Sequence, residues 1–133
     1  MKHIVIGGPR TGKSTYARML RAQGIKTYCT DPKSLVKEPE DDVEYLPEGL
    51  DWSEGSQYVA DNWLDKENVC IEGVATVRAL RKYIDKHSGL PKGANVVTLD
   101  RQHGEPTKGQ VSMKKGVDKI WKEIEPKTRP KLI

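Results

Sequence analysis

At 133 residues, 35% hydrophobic and 32% charged, the chain has material for one domain with a real core, and is short for a large nucleotide-driven machine. Its first apolar run, residues 3–6, is interrupted by glycine after four residues, which excludes a signal peptide or membrane span there and makes a cytoplasmic protein the expectation. The net charge of +4 is modest but uneven, with nine acids against two lysines from Asp31 to Glu54 and nine Lys or Arg against four acids from Arg101 onward. That asymmetry reads either as two solvated faces of opposite sign or as a basic region that approaches a phosphorylated substrate or nucleic acid.

His3 to Ile6 is short, apolar and β-branched, the pattern of a buried strand, with His3 packed at its start. Residues 7 to 14 then read Gly-Gly-Pro-Arg-Thr-Gly-Lys-Ser, a match to G-x-x-x-x-G-K-S. Each part of that pattern has a physical use. Glycines allow turns that a Cβ forbids, so successive backbone N–H groups can converge on phosphate oxygens. Lys13 brings a mobile cation to the β- and γ-phosphates, and the Ser14 hydroxyl can hold Mg²⁺. Ser14 to Gln23 holds no Gly or Pro and is followed by Gly24, so a helix is predicted there, its N-terminal dipole aimed at the same anion. The nucleotide-contacting set is Gly8, Pro9, Arg10, Thr11, Gly12, Lys13, Ser14 and Thr15.

Lys26 to Thr30 reads as the second strand, ending at Asp31-Pro32. The acidic stretch from Pro32 to Leu50 contains Pro32, Pro39 and Pro47 and is expected to be a long exposed loop with little regular structure. A helix is predicted from about Trp52 to Lys66, its buried stripe made of Val59, Ala60, Trp63 and Leu64. Val69 to Ile71 is the third strand, with Glu72-Gly73 at its end. A helix over about Thr76–His87 and a strand over Asn95–Leu99 follow. Asp100 to Gln110 is polar and reads as a lid-like loop. Met113, Val117, Ile120, Trp121 and Ile124 repeat at helical spacing and place a last helix over about Ser112–Ile124. Pro126 to Ile133 is left as a short strand or a packed tail. Cys29 and Cys70 fit no metal-ligand spacing and sit in apolar runs; they read as reduced core cysteines, with a disulfide between adjacent strands as the alternative.

Alternating strands and helices imply a parallel sheet covered on both faces, a three-layer α/β domain with four or five strands. Ligands of such sheets sit beyond the C-terminal strand ends, where Gly7, Asp31, Glu72 and Asp100 fall. There is no Asn-Lys-x-Asp or Thr-Lys-x-Asp stretch and no Asp-x-x-Gly after a strand, which speaks against a GTPase.

The loop Gly7 to Lys13 resembles the Gly-x-Pro-x-x-Gly-Lys loop of adenylate-kinase-like enzymes, and Ser14-Thr15 is similar to that of polynucleotide kinases. Val69 to Gly73, with Arg78 beyond, resembles the strand, acidic residue, glycine and phosphate-binding arginine of nucleoside-monophosphate kinases, and Asp31 resembles the catalytic or magnesium-linked aspartate of shikimate and polynucleotide kinases. The segment with Thr107 to Gln110, Met113 and Lys115-Gly116 resembles small ATP-binding proteins of phages and prophages. The chain departs from the kinase pattern in carrying Arg10 within the loop, Glu72 rather than Asp, and only Arg101, His103 and Lys108 in the lid-like stretch.

The resemblance implies a P-loop NTPase fold that uses ATP and Mg²⁺. Lys13, Asp31 and Arg101 are the candidate catalytic residues, Asp31, Arg78 and Lys108 would meet the substrate, and Ser14 and Glu72 would hold the metal or a metal-bound water. Asp31 can also be read as an Asp-Pro turn starter, and Arg78 as a solvated helix residue. The leading expectation is a phosphotransferase acting on a small molecule, a nucleotide or a nucleic-acid 5′-hydroxyl. Its rival is a slow ATPase that works as a regulatory or assembly protein.

Overall fold

The computed structural model describes residues 2–6, 13–36, 39–98 and 108–128, and of residues 13–16, 109, 110, 113, 127 and 128 the backbone alone. Within these lie five strands, β1 (Lys2–Ile6), β2 (Lys26–Pro32), β3 (Val43–Leu46), β4 (Val69–Glu72) and β5 (Ala94–Thr98). Four helices accompany them, α1 (Lys13–Arg21), α2 (Trp52–Asn62), α3 (Thr76–His87) and α4 (Lys108–Thr128). The strands form one sheet in the order β3-β2-β4-β1-β5, with every neighbouring pair parallel.

Strand register decides which helices cover which face. Ile71 pairs with Ile4 on one side and Tyr28 on the other, and these three join Val59, Trp63, Leu80, Ile120 and Ile124 in the main core under α2, α3 and α4. The alternate positions Val5 and Cys70 instead meet Ala17 and Leu20 of α1 on the opposite face. A side-chain period of two along each strand therefore sorts the apolar residues into two layers of unequal thickness. Trp63 is 1% exposed and sits against Tyr28 at 5.1 Å and edge-on to Tyr58 at 5.9 Å between ring centroids. Burying an aromatic of this size stabilises by about 3 kcal/mol.

Most elements fall where the hydrophobic pattern puts them. The α2 segment starts at a capping box, with the Glu54 amide donating to the Asp51 carboxylate and the Asp51 amide donating to the Glu54 carboxylate. It stops at Asn62, short of the expected Lys66, yet Trp63 and Leu64 are buried in the turn beyond it. Three expectations are corrected. The acidic stretch after Pro32 is not without regular structure, since it holds a 3₁₀ turn at Lys33–Leu35 and β3. Val43 and Leu46 of β3 are buried while Glu44 is exposed, so the strand survives at a sheet edge amid acids and prolines. The last helix begins at Lys108 rather than Ser112, absorbing the end of the lid-like loop, and it runs through Pro126, removing the first part of the proposed tail. Leu99, expected to end β5, lies outside the described residues.

His3 is buried at 6% exposure, and among the described residues neither ring nitrogen has a hydrogen-bond partner. Burial holds its imidazole below the ordinary 6.5. The folded state therefore binds a proton at His3 less readily than the unfolded chain does, so stability falls as pH drops from 7 to 5. Urea midpoints at the two pH values are expected to show a smaller drop in His3→Leu than in the parent chain.

Candidate functional site

The chain order of the strands creates one point where connections diverge. From β1 the chain crosses by α1 to β2, whereas from the adjacent β4 it crosses by α3 to β5 on the other side. A crevice opens between such strands at their C-terminal ends, and ligands of open α/β sheets bind there. The sequence carries Gly7 to Gly12 directly after β1, and α1 starts at Lys13 with no acidic residue in its first turn. Its N-terminal amides and dipole thus stand free of a competing carboxylate within that turn. Gly8 to Gly12 lie outside the described residues, and Lys13, Ser14 and Thr15 are placed by backbone alone, at the start of α1.

The end of β4 is pinned to β2. Thr30 is 3% exposed and its hydroxyl accepts from the Ala75 amide at 3.3 Å. Gly73 passes this hydroxyl at φ +128°, and a Cβ there would come within 2.0 Å of Thr30 Oγ1. Only glycine allows the chain to turn so tightly against its neighbour. The turn fixes where Glu72, 7% exposed, stands.

Asp31 and Glu72 come together. Both line a cavity of about 210 Å³ between α1 and the β2–β3 side of the sheet, along with Thr27 and Cys29. Cys29 pairs with Glu72 in the β2–β4 ladder, and its thiol donates to the Asp31 carboxylate at 3.9 Å. Burial, then the adjacent Glu72 charge, push the Cys29 thiol well above its ordinary 9.0. Burial, again joined by Glu72, pushes the Cys70 thiol up to about 12. Both cysteines are free and buried, and raised thiol values favour the protonated, weakly nucleophilic form.

The cavity's outer wall is the acidic segment that the sequence left as an open loop. Arg21 donates to Glu40 at 2.8 Å and pairs with Asp42 at 3.2 Å, while Arg18 reaches Glu40 at 3.4 Å. The hydrogen bond to Glu40 raises Arg21 above its ordinary value, and the bond from Arg21 lowers the Glu40 carboxyl. Tyr45 accepts from the Glu40 amide at 2.8 Å, and the Ser34 amide and hydroxyl donate to the Glu48 carboxylate at 3.0 and 2.7 Å. The sequence pattern alone singles out none of these residues. The available signal was the i, i+3 spacing of Arg18 and Arg21 on α1, which puts both cations on one face toward a stretch rich in acids.

The other candidates are not brought to this cavity. Arg78 lines a separate cavity of about 260 Å³ with Trp52, Val74 and Ser112, where the starts of α2, α3 and α4 meet on the opposite face. Arg81 reaches Glu123 of α4 at 3.5 Å. Lys108 is exposed at the first position of α4, and Arg101 and His103 lie outside the described residues. Among the described residues no cluster of three or more His, Cys, Asp or Glu could hold a metal ion, and no helix is long and apolar enough to cross a membrane. Comparison with family models, with curated proteins and with solved structures yields no match.

Proposed function

We propose that the chain is a P-loop NTPase that transfers the terminal phosphoryl group of ATP, with Mg²⁺, to a hydroxyl of a small molecule, a nucleotide or a nucleic-acid 5′ end. The observation that carries this reading is the G-x-x-x-x-G-K-S stretch, which joins β1 to α1 beside the divergence of the two crossovers. When bound, Mg²⁺–ATP supplies the phosphoryl group and neutralises part of its charge. Ser14 and Glu72 would hold the metal directly or through water, a donor set of hydroxyl and carboxylate oxygens that suits a hard cation completed by phosphates and water. Lys13, Arg10 and the first amides of α1 bind the phosphates. Asp31, lining the same cavity as Glu72, accepts the proton of the attacking hydroxyl. Arg101, Arg78 and Lys108 are candidates for contact with the migrating phosphate or the substrate.

A second reading is favoured by the ion pairs of Arg18 and Arg21 with Glu40 and Asp42. They tie the far end of the phosphate-binding helix to the acidic segment, as a nucleotide-controlled switch with slow hydrolysis would require. Both readings need nucleotide at Lys13. Lys13→Ala is expected to weaken Mg²⁺–ATP binding by roughly 10–100-fold, the range for losing a charge-assisted bond to phosphate. Calorimetric titration of both proteins checks this. Unchanged affinity would remove the basis of either reading.

A further inference from the structure

We infer that the cavity where the starts of α2, α3 and α4 meet binds a small aromatic carboxylate. Its volume of about 260 Å³ lies just below the roughly 300–1,000 Å³ of sites for drug-sized ligands, the scale of one ring system with its acid group. Val74, Val77, Val117 and Ile120 give it an apolar wall. Trp52 lines the same space while 53% exposed, so much of its indole is open to a second ring. Ser112, Gly116 and Ile120 follow one another at i, i+4 and i+8 along α4, and all three line the cavity. A glycine within a helix is costly relative to alanine, yet a Cβ on Gly116 would meet no heavy atom within 4 Å. Packing among the described residues therefore gives no reason for the glycine, whereas a side chain there would narrow the cavity.

Charge then selects the acid. Arg18, Arg21 and Arg81 are each paired with a carboxylate, whereas the half-buried Arg78 has no ion-pair partner among the described residues. Among the described residues that line the cavity, Arg78 is the one charged side chain, and Ser112 adds a hydroxyl. Neither α3 nor α4 carries an acid in its first turn. Asp51 and Glu54 at the start of α2 are engaged with each other's amides in the capping box. A planar guanidinium pairs with a carboxylate through two parallel hydrogen bonds. A phosphate monoester brings about −1.5 to −2 of charge, and a single arginine beside apolar walls would leave part of it buried and unmatched. The cavity lies across the sheet from α1, so this binding does not depend on nucleotide at Lys13.

The test is NMR titration of the ¹⁵N-labelled full chain, without nucleotide, using benzoate, benzyl alcohol, cyclohexanecarboxylate and phenyl phosphate as probes. Benzoate is expected to move the amide signals of Val77, Arg78 and Gly116 and the Trp52 indole signal saturably, and to bind more tightly than the other three. Arg78→Gln is expected to weaken benzoate about 10–100-fold, the range for losing hydrogen bonds to a charged group. Trp52→Ala is expected to weaken it about 3–10-fold through the lost ring contact. Gly116→Leu is expected to block it while keeping or raising the Tm, because leucine favours a helix more than glycine does. Equal binding by any of the other three probes would overturn the inference. So would benzoate that leaves the signals still, or an Arg78→Gln, Trp52→Ala or Gly116→Leu chain that binds as the parent does. Because nucleotide is absent, failure here is separable from failure of Lys13→Ala to affect ATP.

Discussion

Asp31→Asn is expected to lower phosphoryl transfer about 10²–10⁴-fold, the usual contribution of a positioned general base, while leaving Mg²⁺–ATP affinity within about twofold. The substitution keeps size and hydrogen-bonding reach but removes the ability to take a proton. Asp31 stands at the end of β2, in the cavity that Glu72 also lines, and takes a hydrogen bond from the Cys29 thiol. Asn can accept that same bond through its amide oxygen. Steady-state kcat with a saturating acceptor reads the loss, and calorimetry reads the retained nucleotide affinity. Equal transfer by Asp31→Asn would reassign Asp31 to the turn that its Asp-Pro pairing also suits. Loss of acceptor-stimulated turnover with basal hydrolysis intact would separate the kinase reading from the switch reading, because a switch has no substrate proton to remove.

The second large effect falls on stability. Gly73→Ala is expected to destabilise the fold by about 3–5 kcal/mol, combining backbone strain at a positive φ with overpacking against a neighbouring strand. The new methyl would lie 2.0 Å from Thr30 Oγ1, 3.0 Å from Thr30 Cβ and 3.1 Å from the Thr30 backbone nitrogen. The hydroxyl cannot swing aside without releasing the Ala75 amide, and the backbone nitrogen belongs to β2 itself. A Tm lower by about 10–20 °C follows for a domain of this size. Thr30→Ala alone loses the bond to Ala75 but clears the closest contact. The double variant is therefore expected to be less destabilised than the sum of the two single ones. Additive losses would show that the strain is confined to the Gly73 backbone.

These two sites also mark what the sequence makes legible. Glu72-Gly73 after three apolar residues announces a strand end with an acid at its tip, and the alternation of strands and helices fixes a parallel sheet. The apolar stripe Val59, Ala60, Trp63 and Leu64 is buried as its spacing implies. What period and composition could not convey was contact between distant segments. The stretch after Pro32 looks like open loop because its acids and prolines carry weak local preferences, yet β3 forms there by pairing with β2, and Arg21 anchors Glu40 and Asp42 from another element. The Thr27 hydroxyl is equally silent in sequence, since a threonine in a strand is ordinary until the described neighbours leave it without a partner. Arg78 illustrates the reverse case. Its position after Glu72-Gly73 suggested a shared site, but α3 lies on the other side of the sheet from α1, and Arg78 lines a different cavity from Asp31 and Glu72. Spacing along the chain gave its distance from Glu72 and left its face of the sheet open.

The most direct test of ATP-dependent transfer is ADP release with Mg²⁺, measured alone and against pools of nucleosides, nucleotides, small amino alcohols and sugars, and 5′-hydroxyl oligonucleotides. Phosphotransfer predicts release that rises at least tenfold with one pool, vanishes in Lys13→Ala, and is matched by a phosphorylated product. Tight ATP binding with slow release that no pool stimulates would contradict it, and would leave a nucleotide-controlled switch in its place.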